Sequence, residues 1–269
     1  MGGLQPWIEQ RRKEGVSAGT INHGLQIVRR IVNLAAGEWV DERGLTWLQA
    51  PPKIKLLPNT DKRKPYPLSW GEQTRLFREL PSHLEEMALF AVNTGCRDAE
   101  ICGLRWEYEV DVSELETTVF IVPGNGVKNG DDRLVVLNRV AASVVNARRG
   151  RHPSRVFAYD ERPIARMLNS AWKKARRRAG LEVVRVHDLK HTYGRRLRAA
   201  GVSFEDRQDL LGHRSGKITT HYSAAELGRL IDASNRVTER DGRQPELVVL
   251  RGVLHRGPAK LPQTVSDRR

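Results

Sequence analysis

The sequence predicts an α+β protein that is mainly helical and contains one small antiparallel β-sheet. Over most of the chain, apolar residues recur every three or four positions, which is the spacing of amphipathic helices. The period changes between residues 107 and 137, where 119–122 (VFIV) and 133–137 (RLVVL) are apolar and β-branched. The glycine-rich connection PGNGVKNGDD separates these two runs. Such a pair is typical of neighbouring antiparallel strands.

Composition favours a nucleic acid partner. The 269 residues, enough for two domains, include 46 Lys and Arg against 32 Asp and Glu, a formal charge of +14. A balance this basic indicates a polyanionic partner, with nucleic acid ahead of a membrane surface. The alternative is a generally basic surface, which is less favoured because the cations cluster instead of alternating with acids. No apolar run approaches the ~20 residues of a membrane span. Cys96 and Cys102 are expected to be reduced thiols, which favours a cytoplasmic protein.

Two helices are predicted before residue 50, at 4–12 and 19–36. Two helices of this length form a thin core for an independent domain, so this part of the chain looks incomplete. Residues 50–67 are broken by proline and contain five lysines and arginines, which predicts an extended linker. Its charge would suit crossing a DNA backbone, and a solvated connector is equally compatible with its composition.

A turn at Gly95 is followed by two side chains of opposite charge, Arg97 and Glu100, at the start of the next helix. Their three-residue spacing places them on one helix face, where an ion pair would hold the guanidinium in a fixed direction. From the spacing alone, an exposed pair that contributes little is the favoured interpretation.

The other helices outside the histidine-rich stretch are predicted at 70–80, 82–92, 138–149, 163–179 and 223–236, with a short strand or turn at 156–159. A capping box at Ser69-x-x-Glu72 marks the start of the first of these helices. The fourth carries a run of cations beside Trp172, namely Lys173, Lys174, Arg176, Arg177 and Arg178. In a chain this basic, the run is expected to contact phosphates, with a solvated helix face as the alternative.

The stretch from His187 to Tyr222 carries imidazoles, cations and one phenol. His187, Lys190 and His191 fall at i, i+3 and i+4, so they share one helix face. A second short helix leads to the loop 212–216, which has glycine at both ends. The phenol of Tyr222 lies just before a further helix, and neighbouring cations would favour its phenolate form. Together these groups would suit attack on a phosphodiester.

Five segments, taken in order, resemble the motifs of the tyrosine recombinases, specifically the phage-type integrases: TGCRDAE, the connection that contains Lys128, HDLKHT, LLGH and TTHY. The resemblance extends from about residue 69 to residue 236 and implies a catalytic domain similar to that of lambda integrase. The implied site comprises the family's first arginine at Arg97, its acidic support at Glu100, the hairpin lysine at Lys128, the His-x-x-Arg motif at His187 and Lys190, the Leu-Gly-His histidine at His213, and the nucleophile at Tyr222.

The resemblance also implies a division of the chain. The segments are a partial, SAM-like helical core-binding domain at 1–57, a basic linker at 58–68, the catalytic domain at 69–238 and a partly disordered tail at 239–269. Because family members have a fuller core-binding domain, the chain is expected to be truncated at its N-terminus. Within the linker, the candidate DNA contacts are Lys62, Arg63 and Lys64.

The activity that the resemblance implies is site-specific cleavage and rejoining of DNA through a 3′-phosphotyrosyl link to Tyr222, as in prophage integration and excision. The expected partners are double-stranded attachment sites, further copies of the chain in a tetramer, and a directionality factor, all at the nucleoid. Because the phosphotyrosyl link stores the energy of the broken bond, no ATP, metal or other cofactor is expected. One residue departs from the family pattern: Lys190 replaces an arginine and lacks its planar, two-pronged donor.

Three other functions fit parts of the pattern. A degenerate integrase that binds DNA without cleaving it would account for Lys190 and the short N-terminus. A zinc site could use His187 and His191, with His213 or His221 as third ligand, although Lys190 on the same face would repel the cation. A type IB topoisomerase shares the chemistry, but the phage-like spacing of the motifs argues against it.

Overall fold

A computed structural model describes residues 2–61, 63–124, 131–212 and 222–238. The chain divides into two compact units, Met1–Lys64 and Pro65–Arg269. The helices are α1 (Gln5–Lys13), α2 (Ala18–Gly37), α3 (Trp70–Glu79), α4 (Ser82–Thr94), α5 (Asp98–Cys102), α6 (Arg139–Arg148), α7 (Ser170–Arg178), α8 (His187–Ala199), α9 (Phe204–Leu211) and α10 (Ala224–Asn235). The strands are β1 (Glu109–Val112), β2 (Thr117–Val122), β3 (Arg133–Val136), β4 (Ala158–Tyr159) and β5 (Arg162–Pro163).

The first unit is held together by a small apolar core and one buried asparagine. Ile8 of α1 and Ile21 of α2 are buried together with Ile54 from the extended stretch that follows. The side chain of Asn22 accepts a hydrogen bond from the Leu57 backbone N–H at 2.7 Å and donates one to its carbonyl at 2.8 Å. These bonds satisfy backbone groups that lack a sheet or helix partner, so the stretch before residue 58 packs on α2 instead of extending freely as a linker.

The second unit contains the predicted sheet, with one strand more than expected. The order is β1-β2-β3, all antiparallel, and the register places Val119 opposite both Val110 and Val136. The additional strand β1 has the sequence EVDV, which is too short and too polar to give a clear strand signal. The predicted α+β class, mainly helical with a small antiparallel sheet, is confirmed.

Helix α4 is buried at most positions from Leu84 to Thr94, and on all sides in its last turn. It packs against α6 and α8, and Phe90 meets Phe157 edge to face at a centroid distance of 5.3 Å. A second apolar cluster joins β3, α8, α9 and α10 through Val136, Tyr193 and Leu230. This packing brings the C-terminal end of α4, the start of β3 and the end of α9 close to α8.

The helix predicted at 163–179 is shorter than expected, because α7 begins at Ser170. Pro163 belongs to the β4–β5 hairpin, and the residues between it and the helix are irregular. The Asn169 side chain caps α7 by accepting a hydrogen bond from the Trp172 N–H at 3.0 Å. No helix within the described part of the chain combines the length and apolarity needed to cross a bilayer.

Candidate active site

The turn after α4 directs the side chain of Arg97 toward Glu100. Gly95 has φ +63°, and a Cβ there would lie 2.7 Å from the Tyr193 ring, so both backbone conformation and space require glycine. Arg97 then precedes α5, and its Nη1 donates to Oε1 of Glu100 at 2.7 Å while its backbone N–H donates to Oε2 at 2.7 Å. The Arg97 side chain is 19% exposed and the Glu100 side chain 2%. The interpretation of this pair as an exposed ion pair is therefore wrong.

A second arginine, Arg133, reaches the same carboxylate from β3. It is 1% exposed, its Nη1 pairs with Oε2 of Glu100, and its Nη2 donates to the Gly95 carbonyl at 3.1 Å. Burial alone would raise the pKa of Glu100, but the charge of Arg133 and the hydrogen bonds from Arg97 outweigh burial, so that pKa is lowered. Glu100 is thus a carboxylate held between two guanidinium groups.

Lys190 lies on α8 and is buried at 5% exposure. Its Nζ donates to the carbonyl of Leu211 at the end of α9. Burial, followed by the charges of Arg133 and Arg97, lowers the pKa of Lys190 to about 7. The lysine that replaces the family's arginine is therefore a group that titrates near neutral pH, which a guanidinium would not do.

His187, the first residue of α8, lies beside the other charges of the site. Its ring meets that of His191 edge to face, with the centroids 4.7 Å apart and the planes at 88°. The pKa of His187 is lowered by burial first and then by His191, Lys190 and Arg97. His187 is thus favoured in the neutral form that can accept a proton.

The other face of the HDLKHT segment anchors the start of the second unit. Asp188 accepts hydrogen bonds from the backbone N–H groups of Tyr66 at 3.0 Å and Arg185 at 2.8 Å. The Thr192 hydroxyl accepts from the Leu68 N–H at 2.9 Å. These buried bonds fix the rotation of α8, and so the direction of its opposite face.

The end of α9 packs directly on Arg133. Gly212 has φ +56°, and a Cβ at this position would lie 2.8 Å from the Arg133 Nε. Glycine is therefore required both by the left-handed backbone and by the close approach of the guanidinium. The sequence continues into His213, which lies outside the described residues, as do Lys128, Lys62 and His221.

Tyr222 is half-buried immediately before α10, which Ser223 and Glu226 begin with a capping box. It packs against the cluster of Val112, Val119 and Leu227. Burial raises the pKa of Tyr222, and the carboxylates of Asp209 and Glu226 raise it further. Among the described residues, the groups that perturb Tyr222 are apolar or acidic, in contrast with the cations expected from the sequence.

The cations of α7 differ in what they contact. Arg176 donates to the Val184 carbonyl at 2.8 Å, and Arg178 pairs with Glu79 of α3 at 2.5 Å. Lys173, Lys174 and Arg177 are exposed, while Trp172 is fully buried. Part of this run thus stabilises the fold. Arg177 lies 3.8 Å from Glu182 in an exposed ion pair, and the exposed Lys173 and Lys174 are the cations best placed to meet a phosphate. In the first unit, Arg63 is half-buried and Lys64 is exposed.

Sequence reasoning missed Arg133, although a signal was present. On a strand, residues 133 and 135 point to the same side, and Val135 is an obvious core residue. An arginine at an inward position of an apolar strand needs a buried anion, which Glu100 supplies. For the zinc alternative, no group of three His, Cys, Asp or Glu side chains suited to a metal occurs within the described ranges, which omit His213 and His221.

Comparison with known proteins places this arrangement in a family. The sequence profile of the phage integrase family matches residues 73–228. The integrase of Salmonella phage P22 is 27% identical over 248 residues, which are 87% of this chain and 61% of the relative. The shufflon-specific DNA recombinase of Escherichia coli is 27% identical over 240 residues, 87% of this chain and 59% of the relative. The chain thus spans about three fifths of the length of these two relatives.

Solved structures share the fold. A lambda integrase dimer bound to a COC′ core site superposes with a TM-score of 0.61 at 16% identity, over 82% of this chain and 80% of the other. The Tn1549 transposon integrase in complex with circular intermediate DNA gives a TM-score of 0.57 at 14% identity, over 82% and 81% of the two chains. Since the family profile covers more than half of the sequence, including Arg97, His187, Lys190 and Tyr222, the chain belongs to the phage integrase family of tyrosine recombinases.

Proposed function

We propose that this protein is a site-specific DNA recombinase that cleaves and rejoins strands through a 3′-phosphotyrosyl link to Tyr222. The observation that supports this best is the convergence of Arg97, His187 and Lys190 from two distant parts of the sequence. Arg97 contributes to the pKa of both His187 and Lys190, so all three lie within electrostatic reach of one another. Cations and an imidazole at one place are what a pentavalent phosphorane requires.

The proposed cleavage balances as follows. The Tyr222 oxygen attacks the phosphorus, and its proton passes to a histidine, His187 or His213. Arg97 and the charged form of Lys190 stabilise the negative charge on the non-bridging oxygens. The bond to the 5′-oxygen breaks, and that oxygen takes a proton from Lys128. The phosphotyrosyl diester keeps the energy of the broken bond, and attack by a 5′-hydroxyl reverses the same steps.

Tyr222 needs activation before it can react. A phenol with an ordinary pKa near ~10 is roughly 0.1% ionised at pH 7, a cost of about 4 kcal/mol. In the free protein, burial and two carboxylates raise this pKa further. We infer that Tyr222 leaves its position against Val112 and Leu227 when DNA binds and its phosphate lies beside the cations of the candidate site.

The biological reaction that we propose is integration and excision of a prophage. The relatives include enzymes named integrase, shufflon-specific recombinase and tyrosine recombinase XerC, the last 27% identical over 285 residues in Rhodospirillum centenum. A solved structure with the same fold is a lambda integrase tetramer bound to a Holliday junction. By analogy we propose that the protein forms a tetramer on double-stranded attachment sites. We also propose that a directionality factor helps to reverse integration. In this proposal the core-binding segment is 1–57, the linker 58–68, the catalytic domain 69–238 and the tail 239–269.

A DNA-binding integrase remnant is the second candidate, and one observation favours it. With a pKa of about 7, Lys190 is partly uncharged at neutral pH, so the site has less positive charge than an arginine would supply. Such a protein would bind DNA in a salt-sensitive manner and form no covalent adduct.

The decisive experiment captures the adduct from a library of duplexes with a randomised central sequence. The wild-type protein is incubated with the library, the mixture is denatured, and DNA that stays attached to protein is sequenced to recover the site. Tyr222→Phe should abolish the adduct, and Tyr159→Phe, a change at an exposed tyrosine, should leave it intact. An adduct that persists in Tyr222→Phe refutes the assignment. Salt-sensitive binding without an adduct in the wild type supports the remnant, and loss of the adduct in EDTA would revive a metal site.

A further inference from the structure

Arg133 connects three of the segments that carry the candidate site. Its guanidinium pairs with Glu100, donates to the Gly95 carbonyl and lies beneath Gly212. Arg133 is also the first residue of β3, the strand that follows the connection containing Lys128. The side chain is too deeply buried to reach DNA itself, so any role in the reaction must act through its neighbours.

The charges around Glu100 are not the arrangement that would stabilise the fold best. Among the described residues at this place, the cations Arg97, Arg133 and Lys190 gather around one carboxylate, that of Glu100. A buried cation that is only partly compensated destabilises the folded state compared with an apolar side chain of similar size. A second cation behind Glu100 therefore calls for a functional explanation.

The hydrogen bonds of Glu100 suggest what the function of Arg133 is. A carboxylate facing a lone arginine tends to bind it through two parallel hydrogen bonds, which would use both terminal nitrogens of Arg97. Here Oε2 of Glu100 is shared by Arg133 and the backbone N–H of Arg97, and the side chain of Arg97 reaches only Oε1. Within the described ranges the other N–H groups of the Arg97 side chain have no acceptor, so they are available for an oxygen of the phosphate.

We propose that Arg133 is a positioning residue, which holds Glu100 so that Arg97 is presented to the scissile phosphate instead of closing on the carboxylate. This inference rests on the proposed function. It also assigns a purpose to Gly212, because only glycine lets the end of α9 approach Arg133 as closely as it does.

Two substitutions disturb Arg133 in different ways. Arg133→Lys keeps the charge but cannot reach Glu100 and the Gly95 carbonyl together. Gly212→Ala keeps Arg133 and pushes its Nε with a new methyl group 2.8 Å away. The matched control is Gly201→Ala, since Gly201 has φ +70° and nothing within 4 Å, so it carries the same backbone strain without the contact.

The experiment measures adduct formation in a single turnover on the duplex recovered from the library, together with DNA binding and thermal unfolding. Arg133→Lys and Gly212→Ala should each slow the adduct by about 100-fold, the scale of a misplaced reacting group, with DNA binding unchanged. Gly201→Ala should react like the wild type. Combined with Arg97→Ala, Arg133→Lys should cause no further slowing, because residues that act as one unit are not additive.

Three outcomes would overturn the proposal: wild-type rates in Arg133→Lys, equal slowing in Gly201→Ala and Gly212→Ala, or effects of Arg97→Ala and Arg133→Lys that multiply. A readout independent of cleavage separates this proposal from the proposed function. In protein labelled with ¹⁵N-arginine, the Arg97 side-chain resonances are identified by their loss in Arg97→Ala. They should show one terminal nitrogen hydrogen-bonded to Glu100 in the wild type and both in Arg133→Lys, where the guanidinium closes on the carboxylate. If the wild type forms no adduct, the proposed recombinase function is refuted. Unchanged Arg97 resonances in Arg133→Lys would refute the positioning role of Arg133 whether or not the adduct forms.

Discussion

Replacing Lys190 by methionine should change how the stability of the protein depends on pH. The side chain is 5% exposed, and its pKa in the folded protein is about 7. In the unfolded chain a lysine has a pKa of about 10.4. Between these two values the unfolded chain binds a proton that the folded protein has released, so the free energy of unfolding of the wild type rises with pH.

The size of the effect follows from the two pKa values. Each pH unit within the window contributes about 1.4 kcal/mol, and the onset is gradual near the folded pKa. From pH 7 to pH 9 the wild type should therefore gain about 2 kcal/mol relative to Lys190→Met. Below pH 7 the lysine is protonated in both states and the difference becomes constant, with the wild type at its least stable relative to the variant. The neighbouring His187, whose pKa is lowered, is present in both proteins, so its titration largely cancels in the difference between them.

Urea unfolding at pH 7, 8 and 9, followed by circular dichroism, measures the difference. Lys174→Met serves as control, because Lys174 is exposed on α7 and should keep a constant difference from the wild type. If the stability difference between Lys190→Met and the wild type also stays constant from pH 7 to pH 9, Lys190 remains protonated in the fold. The reasoning from its burial and its cationic neighbours would then be wrong.

Two further predictions concern α8. At protein concentrations below saturation, the wild-type cleavage rate should fall above about pH 7 by up to tenfold per pH unit, because Lys190 loses its charge. The cleavage rate of Lys190→Arg should not change over the same pH range. If the rates of the two proteins depend on pH in the same way, Lys190 does not have this role. Thr192→Val should lower the free energy of unfolding by about 1–3 kcal/mol, since the buried N–H of Leu68 loses its acceptor. Thr74→Val should lower the free energy of unfolding by less, because the Thr74 hydroxyl only donates to a carbonyl of its own helix. Equal losses for the two variants in urea unfolding would show that the bond to Leu68 is not what makes Thr192 important.

Local pattern was enough to predict several features of the second unit. The spacing of His187, Lys190 and His191 predicted one helix face, and α8 begins at His187. The capping box at Ser69 and Glu72 is present, with the Glu72 N–H donating to the Ser69 hydroxyl at 3.2 Å. Such signals depend on residues within one turn of each other, so they can be read without knowing the rest of the fold.

Other features were not accessible in this way. Residue 163 was assigned to the helix that became α7, because its pairing with Ala158 in the β4–β5 hairpin leaves no local signal, and the strand β1 was missed because it depends on pairing with β2. The burial of Glu100 was judged wrongly, because three-residue spacing is the same for an exposed pair and for one covered by a strand.

By itself, the sequence determined the α+β class, which follows from local period, and the order of the motifs, whose resemblance to the family named the candidate site residues. Only the tertiary structure decided the electrostatic state of those side chains. Arg133 is 33 positions from Glu100, and Lys190 is 21 from the carbonyl that it contacts, so no local pattern connects them. Burial and the charges brought together by packing then lower the pKa of Lys190 to about 7 and raise the pKa of Tyr222.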